Sequence, residues 1–432
     1  MKSNLLLLFV AALLASWGCT DKCRETRVFR QFTPQTFTAA QLRQSIAQEE
    51  ARTLVNPGKI YYKDGYLFIN EVKEGIHVID NRNPENPKMV TFLRIPGNGD
   101  MAVRNNILYA DSYMDLVALD ISNPASIKPA GRAENVFRNG TFDGAWWSFD
   151  STRNLVSDQR VDYVTQTVNT NCDNSQPSGN WWWGGVAFFA DTRGLSNMSS
   201  AAPSQNSNGT GGSMARFTLY NNYLYTVGQN ELVLFDIQNP TSPRKGSRVN
   251  LGWGIETIFP YKDKLFIGST TGMHIYDASN PAKPTHLSTF QHAMACDPVV
   301  VENDIAYVTL RSGNFCTRAS NQLDVVDVSN AAAPRLIKTY PMQNPHGLGI
   351  DAKTLFVCEG RHGLKSLDAN SILNITELQR LTGMDAYDVI PLGNYDRGRL
   401  LLMIGKDGLY QFDYSNPRSL RQLSKIPVDR PW

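Results

Sequence analysis

The chain lacks nearly every signature that announces a reaction. No glycine-rich phosphate loop, GxSxG elbow or HExxH pair occurs in it. Histidine and cysteine number six each in 432 residues, and no CxxC pair is present to hold a metal. No cofactor or metal is therefore expected. Charge of one sign is missing too: the formal net charge is +2, which gives neither the basic field of a nucleic-acid binder nor an acidic solvating tail. After residue 15 no apolar run approaches the roughly 20 residues of a membrane-spanning helix.

The first residues do carry an address. Lys2 supplies a positive charge, Leu5 to Ala15 is unbroken apolar sequence, and Gly18 precedes Cys19. Residues 1–18 read as a lipoprotein signal peptide, with Cys19 the acylated first residue of the mature chain, although Ser16 stands where an aliphatic residue is usual. The expectation is a cell-envelope protein, lipid-anchored in the outer membrane and periplasmic or surface-exposed. Export permits disulfides. With Cys19 acylated and Cys23 in the tether, Cys172, Cys296, Cys316 and Cys358 are the disulfide candidates, their connectivity open and buried reduced thiols the alternative. Residues 19–55 read as a tether with one strand at Arg27–Phe32. A short helix follows, capped by Thr38 with Gln41 and running to about Glu50.

From residue 56 onward one phrase recurs. GIHVIDNRNPENP, DLVALDISNPASI, ELVLFDIQNPTSP, GMHIYDASNPAKP, QLDVVDVSNAAAP, GLKSLDANSILNI and GLYQFDYSNPRSL each join an apolar run to an Asp and usually an Asn-Pro. The Asp residues are 80, 120, 236, 277, 327, 368 and 413, and their repetition marks them as structural. Tight turns such as Asp64-Gly65, Asn105-Asn106, Asn221-Asn222 and Asn303-Asp304 precede each phrase by one strand. The third strands are apolar without alternation, as sheets covered on both faces require. This predicts an all-β chain: a seven-bladed β-propeller of four-stranded antiparallel blades over 56–432, with a long loop insertion between blades two and three at about 137–213.

In such a ring the first strands line a central channel. Counting back from the hairpins places Gly58, Gly99, Ala215, Glu256, Asp297 and His346 at one register. Lys59, Asp100, Arg216, Thr257, Pro298 and Gly347 fall at the next. Glu256, Asp297 and His346 are expected to converge at one channel mouth, with Asp385 or Asp388 as further members. Asp100 and Arg216 are added as ligand-binding candidates. Wet channel mouths collect polar residues in any case, so these are ligand contacts first and catalytic candidates only if the protein is an enzyme. The insertion holds Trp146, Trp147, Trp181, Trp182 and Trp183, suited to stacking on a sugar, gripping a partner or packing as a lid.

The run LVLFD at Leu232–Asp236, its six relatives, and stretches such as GKIYYKDGYLFINE and PHGLGIDAKTLFVCEG resemble the LVIVD repeat of bacterial β-propeller lipoproteins. The resemblance spans about residue 55 to the C-terminus. It implies the fold and no established reaction. The resulting expectation is a monomeric envelope binding or scaffold protein, with membrane contact through the N-terminal lipid and an envelope protein or glycan as partner. The alternative is a polysaccharide hydrolase or lyase using Glu256, Asp297 and His346.

Overall fold

The computed structural model describes residues 22–142, 144–171, 208–292, 298–311, 321–395 and 398–429. The described residues are all-β apart from one short helix, and they form eight sheets. Seven of these follow the repeat. Sheet one spans 57–94, two 101–133, three 217–250, four 255–291, five 299–341, six 348–381 and seven 386–427, each a meander of four antiparallel strands in sequence order. Their first hairpins turn through residues of positive φ, among them Asp64 (47°), Asn105 (51°), Asn221 (51°) and Lys262 (53°). In sheet six Ala352 and Lys353 make the turn at 46° and 62°, a place where composition gave no turn signal.

The repeated Asp closes its strand with a local hydrogen bond. In all seven copies one carboxylate oxygen accepts the backbone N–H two residues on, at 2.8 to 3.1 Å. The Asn three residues further repeats the device in six copies, at 3.1 to 3.3 Å. Hydrogen bonds from the residue two positions on hold Asp80, Asp120, Asp277, Asp327, Asp368 and Asp413 below the usual carboxylate range. The turn so formed is gripped by the preceding sheet. Tyr109 Oη donates to the Pro240 carbonyl (2.9 Å), Tyr225 Oη to Pro281 (2.7 Å), Ser288 Oγ to Ala331 (2.6 Å) and Ser366 Oγ to Pro417 (2.6 Å). Gly131 is needed for one such approach, because a Cβ there would lie 1.9 Å from the Thr241 carbonyl oxygen.

The third strands are buried throughout, as the uninterrupted apolar runs require; Leu232, Val233, Leu234 and Phe235 are each at most 1% exposed. Apolar clusters join sheets one to three, three to four, four to six, six to seven, and seven back to one. First strands of consecutive sheets lie beside one another, while fourth strands carry exposed polar residues. A bulge or register shift lies between third and fourth strands in every repeat sheet, which twists the outer edge. The last sheet meets the first through polar contacts as well. Asn81 and Gln411 exchange side-chain hydrogen bonds of 2.9 and 2.7 Å, and Ser424 Oγ donates to the Pro84 carbonyl at 2.6 Å.

Residues 19–55 are more than a tether. The strand there is Lys22–Thr38, longer than expected, and it joins the eighth sheet. The helix is Ala39–Gln44, with the expected Thr38–Gln41 capping box, but it stops at Ser45. Ala47–Glu49 then adds a strand to the outer edge of sheet one, because extended backbone there satisfies the edge groups of Lys88–Arg94. The eighth sheet takes its other strands from the insertion: Asn139–Phe142, Ala145–Asp150 and Leu155–Asn171. The chain divides into two compact units, one of residues 1–35 with 158–193 and one of 36–157 with 194–432. In the smaller unit the described residues are two paired strands. All the repeat sheets belong to the larger. No described helix is long and apolar enough to cross a membrane.

The Asn81–Gln411 pair gives a test of the closing contact. Gln411→Ala removes both buried hydrogen bonds between Asn81 and residue 411 and is expected to cost about 1–3 kcal/mol, read as a lower urea midpoint with one cooperative transition. An unchanged midpoint would show that sheets seven and one do not meet there.

Candidate functional site

The register that begins with Lys59 converges, but inside the ring rather than at an open channel. Residues 208–215, the end of the insertion, run along the innermost strands. Thr210 and Gly211 pair with Tyr62 and Tyr61 of sheet one. Gly209 N–H donates to the Val103 carbonyl of sheet two (2.9 Å), and Tyr61 Oη donates to the Gly209 carbonyl (3.0 Å). Ser213 N–H donates to Asp388 Oδ1 of sheet seven (3.2 Å), and its hydroxyl accepts the Leu348 N–H beside sheet six's first hairpin (2.6 Å). Ile258 of sheet four donates to the Ala215 carbonyl (2.9 Å). One short segment thus ties five sheets at their inner edges.

Ionisable groups are buried around it. Lys59 Nζ donates to the Met214 carbonyl (2.9 Å) and lies 3.7 Å from Asp100 Oδ2. Asp100 also accepts backbone N–H groups of Met101 (2.7 Å), Arg216 (2.5 Å) and Phe217 (3.1 Å). Burial lowers the Lys59 ammonium from its ordinary value and pushes the Asp388 carboxyl well up. Asp388 Oδ2 meets no hydrogen-bond partner among the described residues, which suits a protonated acid. Gly347 is required beneath it, since a Cβ would come within 2.3 Å of Asp388 Oδ1.

Of the predicted mouth cluster, Glu256 and His346 are described, and both lie within electrostatic reach of Arg311. His346 is buried against Tyr387 (ring centroids 5.4 Å), and its Nε2 lies 3.2 Å from Asn344 Nδ2. Burial first, and Arg311 second, push its imidazole well below the usual range, so it is neutral. Asp297 lies outside the described residues. Arg311 had no sequence signal beyond its place at a strand end.

A concavity lies between sheets two and three. Asp100 and Arg216, two of the ligand candidates, line it together with Asp111, Gln229 and Asn230; Tyr113, Phe142 and Trp147 supply aromatic wall. Trp147 stands opposite Gly140 in the insertion's hairpin, where a Cβ would reach within 2.5 Å of its indole nitrogen. Tyr113 meets Trp147 edge-on at 5.3 Å. Asp111 Oδ1 accepts from Asn98 Nδ2 (2.8 Å) and from the N–H groups of Gly99 (2.7 Å) and Asp100 (3.0 Å). Desolvation outweighs these bonds and raises its carboxyl to about 6. Glu231 is held by Arg248. Among the described residues the Arg216 guanidinium has no hydrogen-bonding or ion-pair partner. Asp111 was legible only as a carboxylate ending an apolar strand.

Cys358 departs from the disulfide expectation. It is a free, fully buried thiol packed between sheets six and seven, where burial raises its ionisation well above the ordinary value. A strand end there is enclosed by the neighbouring sheet and is not at the rim. Cys19, Cys172, Cys296 and Cys316 lie outside the described residues, as do Trp181, Trp182 and Trp183.

Three segments match the LVIVD repeat: residues 98–134, 211–250 and 308–341. They fall on sheets two, three and five. No curated protein matches the chain. Among solved structures, a protein from Lactobacillus plantarum is 11% identical with a TM-score of 0.50, over 83% of this chain and 96% of that one. The computationally designed protein Ika8 is 8% identical (TM-score 0.49, 89% and 93% covered). BamB from Moraxella catarrhalis is 9% identical (TM-score 0.41, 85% and 97% covered). At such identity the likeness concerns fold alone. The chain is a β-propeller repeat protein.

Asp111 makes stability depend on pH in a definite direction. Its folded carboxyl holds a proton more tightly than the unfolded one, so its contribution is full below about pH 4 and is lost as pH rises through about 6. Asp111→Asn keeps the Oδ1 acceptor and cannot ionise. Its stability relative to wild type is expected to rise between those pH values by on the order of 2 kcal/mol, read from denaturant midpoints at each pH. A difference constant from pH 4 to 8 would contradict the raised carboxyl.

Proposed function

We propose that this chain is a cell-envelope binding protein. In this reading seven blades form the ring, lipid on Cys19 holds it at the outer membrane, and the ligand is taken up between blades two and three. The seven repeat sheets and the apolar clusters that lead from each to the next support that blade number, with the eighth sheet an appendage of the insertion.

The observation that carries the reading is the contrast between axis and cleft. Along the axis, residues 208–215 bond the inner strands, and Lys59 and Asp388 there bond that segment. In the cleft, an arginine, an exposed amide and an aromatic wall face a concavity. Binding sites are built in that way, with a few polar groups fixed by rigid scaffold beside apolar surface. His346 is buried against Tyr387 and is not presented to a polymer in the way the cleft residues are.

Asn230→Trp tests this by filling the cleft from an exposed position at its rim. Wild type is expected to retain isolated envelope polymers, peptidoglycan or outer-membrane glycolipid, and the variant to lose at least ~tenfold in affinity at unchanged thermal midpoint. Equal retention by both would overturn the cleft as the binding site. The anchor is checked separately: Cys19→Ser is expected to abolish palmitate labelling and to move the protein from the membrane pellet to the soluble fraction. Membrane retention without label would contradict it.

A further inference from the structure

We infer that the cleft between sheets two and three takes a saccharide bearing a single carboxylate, with Arg216 as the anchor for that carboxylate. The inference rests on the reading of this cleft as the binding site and adds the class of its ligand.

Arg216 immediately precedes the first strand of sheet three, so its backbone is fixed twice. Its N–H donates to Asp100, and its carbonyl accepts from Val227 N–H at 2.8 Å. The position of the side chain is therefore set by scaffold, yet the guanidinium makes no hydrogen bond or ion pair among the described residues. Other half-buried arginines of the larger unit have partners, among them Arg43 and Arg132 with Asp115, Arg248 with Glu231 and Arg380 with Glu359. A half-buried guanidinium with a positioned backbone and no partner is prepared for a planar anion, which it binds through two parallel N–H donors.

The charge around it selects a monoanion. Asp100 and Asp111 line the same cleft, Asp100 engaged by Lys59 and three backbone N–H groups. A phosphate dianion would meet their repulsion with only one free guanidinium in compensation. A carboxylate matches one guanidinium in charge and in geometry. The remaining lining favours a ring with hydroxyl groups. Tyr113, Phe142 and Trp147, each at most 9% exposed, reach the lining from the apolar cluster behind it and give the cleft an apolar floor against which the C–H face of a sugar can rest. Asn230 and Asn139, both exposed and with side chains that make no hydrogen bond among the described residues, supply amides to hydroxyls at the rim.

The test is calorimetric titration of the full chain with a tetrasaccharide that contains one glucuronate and with the same tetrasaccharide after reduction of its carboxyl group. The acidic form is expected to bind at least ~tenfold more tightly than the reduced form, and Arg216→Gln to abolish that difference with its thermal midpoint unchanged. Equal binding of the two forms by wild type overturns the inference. So does discrimination that persists in Arg216→Gln, or inorganic phosphate that displaces the acidic form at equal concentration. Should neither saccharide bind while wild type retains envelope polymer and Asn230→Trp does not, the ligand class fails and the cleft reading stands. Should retention also survive Asn230→Trp, both fail.

Discussion

Everything in the larger unit depends on one small contact: the turn that ends each third strand, seated against the sheet before it. The Asp makes the turn rigid by accepting the N–H two residues on. The Asn and Pro then present a carbonyl that cannot pair within its own sheet. A tyrosine or serine of the previous sheet takes it up. The bond is worth little alone. Its importance is positional, because it sets the angle at which one apolar sheet face meets the next. Repeated, it brings the seventh sheet against the first, and Ser424 grips the Pro84 carbonyl as Ser366 grips that of Pro417. Sheets whose third strands are oily on both faces have no stable alternative to such mutual cover.

Closing the circuit creates a second problem at its centre. Innermost strands bring a free edge and several polar side chains to one axis. Residues 208–215 resolve it by pairing with Tyr61 and Tyr62 and by giving carbonyls and a hydroxyl to Lys59, Ile258 and Leu348. The cost is a set of ionisable groups held away from water, visible in the lowered Lys59 and the raised Asp388. In the proposed reading, the binding face lies off the axis. A concave, polar seam lies between sheets two and three, beneath the hairpin 139–150 that the same insertion provides.

The fold was legible because its information is local and repeated. The Asp at a strand end, the positive-φ residues at Asp64, Asn105 and Asn221, and the unbroken third strands each specify their own geometry within a few residues. Their repetition removed the usual ambiguity. The site was legible only in part. Register counting put Lys59, Asp100 and Arg216 at one level, and they do lie together, because strand register follows from hairpin position. It brought Glu256 and His346 to the same neighbourhood through Arg311, which nothing in the pattern marked. It missed Asp111 and Ser213, whose roles arise from contacts between residues distant in sequence. Ser213 lies in a glycine-rich stretch that reads as loop until the strand it pairs with is known. Cys358 misled for a related reason: export made it a disulfide candidate, and only the packing of the next sheet shows that it is enclosed. The tether misread shows the limit of composition, since Lys22–Thr38 has ordinary polar sequence and is a strand because a long partner strand, Leu155–Asn171, is available.

The central claim is that residues 208–215 close the axis as an integral part of the ring. Native-state hydrogen exchange tests it most directly. The amides of Gly209, Ser213 and Leu348 donate to partners in other segments. They are predicted to exchange only with global unfolding, as slowly as the third-strand amides of Leu234 and Phe235. Exchange at Gly209 and Ser213 at the rate of an unstructured peptide, with the third strands still protected, would mean that the channel stands open and that the account of this site is wrong.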